Sequence, residues 1–451
     1  MSPAERSTPD LGALLRNQAA LDQIGADILN GGPRAIRYRE TRAARMSMAF
    51  VAHHDEVVSV LTEESHFSVC HYDPLYAAVA RPGAFLIMRP EGPERAERLA
   101  ILDAAEAKTP WFGPDSAQRR AMARACVDDV LAAVSRRRRF DLIGEFGFFV
   151  PYLIAGRVLG LAGLRSFDLL SLGVCLVNRH SLLQLFRPET GPYLTDLAWS
   201  EFVIAQLLIN FENRLPPFRW AAAWGAKRVR AQIEHRIDTS PGFEGDHTLL
   251  SALWAVRGRF SEVEDDVYRE HVVSILMELG ATLLLVPGSG FSGIVGRWLG
   301  PGGPGLEASL GQLQAMDAEE KAEAFVQEEL RLAPPSAHLL RNATGPIDLG
   351  GLTLKTGEYV CALVKSAGVD IKNDSREVKA DRCPSTYLHF GPENGPHLCR
   401  GHRLSPSILA EMFLGLTRLP DLAPRGRLTA CGGLVPGRLI VDFGEPVGTG
   451  P

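Results

Sequence analysis

The residues best suited to chemistry lie in one short run, 389–404, which reads HFGPENGPHLCRGHRL. Cys399 stands there where a glycine- and proline-rich loop leads into a helix. A cysteine at a helix N-terminus faces the positive end of the dipole and several free N–H groups, and both favour thiolate over thiol. Glycines in the loop let backbone N–H groups point at the sulfur without interference from a Cβ. Such a thiolate suits a catalytic nucleophile, a redox cysteine or the axial ligand of a haem iron. A buried, inert cysteine at a helix start is the plainer reading of a cysteine taken alone.

Other runs carry less. His53-His54-Asp55 has the composition of a metal cluster and the pattern of a surface helix start. Ser289-Gly290-Phe291-Ser292-Gly293 sits inside a helical stretch with no strand before it, so it is no nucleophile elbow. The glycine-rich run 300–305 lacks the lysine and the preceding strand of a phosphate loop. The seven cysteines are odd in number and form no CxxC pair, which speaks against a zinc site or a disulfide framework and fits a reducing compartment.

The elements that must position the cysteine read as mostly helical up to about residue 330. The run 114–135 repeats apolar positions at three and four, as a one-sided helix does. The run 140–163 is more hydrophobic, broken by Pro151 and followed by a glycine turn, and 195–213 gives another amphipathic helix. A strand signal at 49–52 precedes the helical pattern DEVVSVLTEESHFS. The apolar run 271–299 could span a bilayer by length, but Glu278, Pro287 and several glycines favour a buried central helix. After the loop at 300–305 comes a polar helix ending in EELRL, then a hairpin pattern around Gly350-Gly351 and Gly357. A last helix at about 406–418 precedes a tail of short strands. The expected architecture is mainly α with a minor β portion, as a single domain over 1–451 whose first 30 residues or so are extended.

Composition bounds the partners. With 451 residues, 46% hydrophobic and 22% charged, the chain has ample material for a core, and its net charge of −5 gives nucleic acid no global attraction. The four arginines at 136–139 read as a solvated helix end. The N-terminus lacks the charged start and apolar stretch of a signal peptide. The chain is expected to be a soluble, cytoplasmic monomer that neither spans a membrane nor binds nucleic acid.

The cysteine loop resembles that of the cytochrome P450 enzymes, F-G-x-G-x-H-x-C-x-G. Gly395-x-His397-x-Cys399-x-Gly401 matches its second half, and Phe390-Gly391 its opening, with two extra residues between. EELRLAPPSAHLLRNAT (328–344) is similar to the family's E-x-x-R helix and the turn after it, and Arg382, eight residues before Phe390, matches the arginine completing a Glu–Arg–Arg cluster. The resemblance implies a mainly helical P450 fold and one haem b (iron protoporphyrin IX) ligated through Cys399. It implies further that Phe390 shields the sulfur, that Arg341 and His397 meet haem propionates, and that Glu328, Arg331 and Arg382 are structural. Arg95 sits where the family has histidine or tryptophan. The arginine normally four residues later is Leu99 here, so Arg98 is the candidate to take its part.

One family feature is missing. The central helix of the family carries (A/G)-G-x-(D/E)-T, an acid and an alcohol that relay protons during oxygen activation. The equivalent run here is Pro287-Gly288-Ser289-Gly290-Phe291-Ser292, with glycine for the acid and phenylalanine for the threonine, and its glycines and proline are expected to loosen the helix. Three readings follow. One is a monooxygenase of a small hydrophobic metabolite in specialised metabolism, fed by ferredoxin and reductase donors, with Ser289, Ser292 or a substrate hydroxyl and water as the relay. The second takes a peroxide or organic hydroperoxide instead, as a peroxygenase, isomerase, dehydratase or lyase, and Phe291 then steers an intermediate or simply packs. The third is a non-catalytic P450-like partner protein, which an intact cysteine loop argues against.

Overall fold

In chain order the strands are β1 (Glu5–Thr8), β2 (Ala35–Glu40), β3 (Ser47–Val51), β4 (Phe67–Ser68), β5 (Arg139–Asp141), β6 (Leu339–Ala343), β7 (Ile347–Leu349), β8 (Leu352–Leu354), β9 (Tyr359–Ala362), β10 (Ala423–Pro424) and β11 (Ile440–Asp442). They come from a computed structural model that describes residues 4–8, 10–41, 47–69, 92–113, 116–135, 137–161, 227, 230–231, 233–239, 247–316, 319–370, 377–379, 387–428 and 439–444. The main sheet runs β1-β2-β3-β9-β6-β4. Its inner strands are apolar on both faces, and the two-residue period sorts them. Met48 and Phe50 of β3 and Cys361 of β9 join Leu21, Ile24 and Ile28 on one side, while Ala49, Val51, Val360 and Ala362 join Val57 and Val60 on the other. Gly350 and Gly351, with φ of 57° and 80°, close the β7–β8 hairpin that the sequence predicts.

The first 30 residues depart from expectation. Rather than an extended stretch they hold the helices Leu11–Arg16 and Gln18–Leu29, capped by Asp10 accepting from the Ala13 N–H and Asn17 accepting from the Ala20 N–H. The β1 and β2 strands escape sequence reading because they are polar. They are laced by charge, with Arg37 between Glu5 (3.2 Å) and Glu358 (2.6 Å) and Arg39 at 2.9 Å from Glu5.

By contacts the chain divides into two compact units: Met1–His71 with Arg138–Phe140 and Ser289–Pro451, and Tyr72–Arg137 with Asp141–Gly288. In the second unit the helices Pro93–Glu106, Ser116–Ser135, Phe149–Leu159 and Leu249–Ala255 accompany the first part of the central helix. The expected break at Pro151 lies earlier. A π-helical turn, Leu142–Gly147, follows β5, and Pro151 falls in the first turn of Phe149–Leu159, where its missing N–H has no intrahelical partner to lose. Among the described residues one stretch, Leu142–Leu159, is long and apolar enough to cross a membrane, and 61% of it is buried within the protein. The predicted helix at 195–213 lies outside the described residues.

The central helix, Asp265–Leu299, is continuous through Pro287, so the expected local loosening does not break it. In the first unit its end packs with Leu306–Gln314, Glu319–Leu332 and Leu404–Leu416 around Trp298, Phe291 and Phe413. The helix Leu404–Leu416 is buried along almost its whole length, so the loop preceding it is anchored in the core rather than at a rim.

Candidate functional site

The cysteine loop is built from nested short hydrogen bonds. The Gly391 N–H donates to the Leu388 carbonyl at 3.0 Å, closing a turn in which Gly391 takes φ +83°, a conformation that L side chains rarely adopt. The Gly395 N–H donates to Pro392 at 2.8 Å and the Leu398 N–H to Gly395 at 3.1 Å, and these turns deliver the Cys399 N–H to the Phe390 carbonyl at 2.8 Å. The Cys399 carbonyl is held from the other side by the His402 N–H (3.1 Å) and by Nδ1 of the His402 ring (2.8 Å). Because a carbonyl only accepts, Nδ1 carries the ring proton. The part of His402 in fixing Cys399 comes from the fold rather than from any local sequence pattern.

Space is kept beside the sulfur. A Cβ at Gly401 would stand 3.7 Å from the Cys399 Sγ and 3.2 Å from the Ser405 hydroxyl. Cys399 is half-buried, whereas Cys126 and Cys361 are wholly enclosed. Burial pushes the Cys126 thiol up to about 11 and the Cys361 thiol further in the same direction. Cys399 is thus the accessible sulfur among the described cysteines.

Behind the loop, Glu328 and Arg331 form the predicted pair. Nε and Nη2 of Arg331 each donate to a Glu328 oxygen at 2.9 Å, with both side chains out of solvent. Burial alone would raise the Glu328 carboxyl. The guanidinium and the Lys379 N–H, at 3.0 Å, outweigh it and hold the group below its ordinary range. Arg331 also donates to the carbonyls of Gly368 (2.7 Å) and Glu377 (3.0 Å). Arg382 lies outside the described residues. Arg341 is buried on β6, with Nη1 donating to the Leu340 carbonyl at 2.8 Å. His397 has its Nε2 at 2.8 Å from Glu64, a carboxylate that sequence reading did not single out. Glu64 sits in the turn before β4, and Ser68 of β4 pairs with Asn342 beside Arg341.

His389 is tilted against Phe390, ring centroids 4.5 Å apart, and neither of its nitrogens meets a hydrogen-bond partner among the described residues. Burial drives its imidazolium pKa down to about 3, so the ring is neutral. In the other unit, Arg95 and Arg98 are 3% and 4% exposed, one turn apart on Pro93–Glu106. Nε of Arg98 donates to Nδ1 of His271 at 3.2 Å, and Nε2 of His271 lies 2.9 Å from Glu97. Nothing in the sequence pattern marked His271 as more than the start of an apolar run.

The central-helix residues sit among packed side chains. Phe291 is fully buried and stacks on Phe413, ring centroids 4.8 Å apart at 19°. A Cβ at Gly290 would stand 3.1 Å from Leu330 and 3.5 Å from Leu409, and one at Gly288 would collide with the Phe148 ring at 2.6 Å. Gly288, Gly290 and Phe291 therefore have packed side chains against them. Ser289 and Ser292 are half-buried and lie off the face that Phe291 presents to the core.

No family model matches the chain. Over 93 residues it is 36% identical to cytochrome P450 119 of Sulfolobus acidocaldarius, and over 111 residues 30% identical to a steroid C26-monooxygenase of Mycolicibacterium smegmatis. The matched segments span 20% and 24% of this chain, and only 25% and 26% of those relatives. The crystal structure of the cytochrome P450 enzyme CYP109B1 from Bacillus subtilis superposes at a TM-score of 0.65 with 16% identity, over 93% of this chain and 98% of that one. The chain has the fold of the cytochrome P450 superfamily. A P450 fold implies haem, and the residues present fit one. A half-buried cysteine with both its backbone polar groups engaged offers a soft sulfur ligand, and Gly401 leaves the room beside it that a Cβ would take.

Proposed function

We propose that this P450-fold chain is a haem-thiolate oxidoreductase, a monooxygenase of a small, largely apolar metabolite in specialised metabolism, holding haem b through Cys399. The observation that carries the reading is the Cys399 loop: an accessible sulfur at a helix start, its backbone clamped between Phe390 and His402, with a glycine beside it. Bound haem supplies the redox chemistry. The chain's own residues fix the sulfur so that its donor strength does not vary. Phe390 shields it, while Arg341, His397, Arg95 and Arg98 are the contacts for the two haem carboxylates. Glu328 and Arg331, with Arg382, keep the proximal scaffold rigid. Ser289 and Ser292 are the hydroxyls of the 287–292 run and, with water, the groups there able to pass a proton. Reducing equivalents come from ferredoxin and reductase donors, and the working protein is a soluble cytoplasmic monomer.

A second reading takes its oxidant as peroxide or an organic hydroperoxide. It is favoured by the core-facing Gly290 and Phe291, which leave the helix without an acid or alcohol at the relay positions. Turnover with oxygen, NAD(P)H and donor proteins, compared with hydrogen peroxide and fatty-acid hydroperoxides, separates the two. Strict dependence on the donors supports monooxygenation, and donor-independent turnover with hydroperoxide supports the second reading.

A further inference from the structure

Among the described residues, the backbone hydrogen bonds that shape the cysteine loop run between residues 388 and 402. The His397 side chain carries a contact out of that stretch. His397 stands two residues before Cys399, and its carbonyl lies so close to Gly391 that a Cβ there would come within 3.4 Å. Its Nε2 is 2.8 Å from Oε1 of Glu64, which belongs to the same compact unit. A carboxylate oxygen accepts, so Nε2 carries a proton. The His397 side chain is 9% exposed and the Glu64 oxygen is enclosed, so water competes little for either group.

Glu64 is a fixed post rather than a loose surface acid. The Glu63 carbonyl accepts from the N–H groups of His66 and Phe67, at 2.9 Å each, and the Glu64 N–H donates to the Thr62 carbonyl at 3.1 Å. Thr344 stitches this turn to the end of β6, giving its N–H to the His66 carbonyl at 2.9 Å and its hydroxyl to the Ser65 carbonyl at 2.7 Å. Phe67 and Ser68 then pair with Ala343 and Asn342. The contact therefore ties a loop that turns on itself to the edge of the main sheet. A buried donor stripped of its acceptor is costly, and a loop relieves that cost by opening to water.

We infer that Glu64 is a positioning residue for the Cys399 sulfur: by pinning His397 to the turn before β4 it keeps the loop, and with it the sulfur, in one place. The inference rests on the haem reading above, and its test reads loop and ligand separately. Hydrogen exchange of the purified protein, followed on peptides covering 389–404, should be about tenfold faster in Glu64→Leu than in the wild type, the scale of one charge-assisted hydrogen bond. Peptides of β3 and β9 should exchange as before. Glu64→Gln, whose amide oxygen still accepts from Nε2, should return the loop to within about threefold of the wild type. In mild urea, the thiolate-type Soret band of the reduced protein under carbon monoxide should decay about tenfold faster in Glu64→Leu, and Glu64→Gln should restore it. Equal loop exchange in wild type and Glu64→Leu would overturn the inference. So would acceleration spread evenly over the sheet, a Glu64→Gln protein as fast as Glu64→Leu, or a faster loop with unchanged decay of the band. A wild type that shows no thiolate band at all would instead sink the haem reading, while the exchange rates still decide the tether.

Discussion

Cys399 was legible in the sequence because glycine, proline and a helix start coincide there, but the residues that hold it were only half legible. His402 grips the same carbonyl as the backbone, and Glu64 reaches His397 from a turn more than 300 positions away. No local pattern predicts a contact of that separation. At Phe291 the spacing left steering and packing both open, and helical phase stacks the ring on Phe413. Phe291→Ala should therefore cost about 3–5 kcal/mol of unfolding free energy, as aromatic truncations in a packed core do, while Phe291→Thr should lower stability without altering the oxidant requirement. Denaturant titration and coupled turnover assays read the two effects separately. His389 gives a pH prediction. Its folded-state pKa, about 3, lies below the ordinary 6.5, so the unfolded chain takes the proton first and stability falls as pH drops below about 6.5. Between pH 7.5 and 5.5 the wild type should lose roughly 1 kcal/mol more than His389→Phe, measured by urea unfolding at each pH.

Elements were read best where apolar spacing was strong and worst where charge replaced it. The central helix, the helix Glu319–Leu332 and the hairpin at Gly350-Gly351 were foreseen; β1 and β2 were not, because their stability comes from a ladder of Glu5, Arg37, Arg39 and Glu358 that no hydrophobic period reveals. The E-x-x-R spacing announced the Glu328–Arg331 pair, since residues three apart share a helix face. It said nothing of the carbonyls of Gly368 and Glu377 that complete the arginine's coordination. Arg331→Leu strips the buried carboxylate of its partner and should destabilise by about 3–5 kcal/mol. Replacing both Glu328 and Arg331 by leucine should cost less than the sum of the single changes, which a double-mutant cycle by thermal or denaturant unfolding measures. Glu328, held below its ordinary range, contributes stability that is present above about pH 4.5 and lost as pH falls through its folded-state value.

For the whole molecule, the order of motifs along the chain conveyed the fold because each marks an element that a haem-enclosing helical protein needs in sequence: polar E-x-x-R helix, short strands, cysteine loop, buried last helix. What it could not convey was the way the long helix is rotated, which decides whether Gly290 and Phe291 are chemistry or packing. That is a matter of a fraction of a turn, finer than spacing resolves. Haem bound to the folded chain and not to the unfolded one should also raise the melting temperature, so haem-depleted protein should unfold at lower temperature than the holoprotein in calorimetry. The account's central claim, an iron ligated by the Cys399 sulfur, is most directly tested by the spectrum of the reduced protein under carbon monoxide. The wild type should show the strongly red-shifted Soret band of a thiolate-ligated haem, and Cys399→Ala should lose it. A wild-type band at the position of histidine-ligated haem, or a thiolate band that survives in Cys399→Ala, would contradict the account.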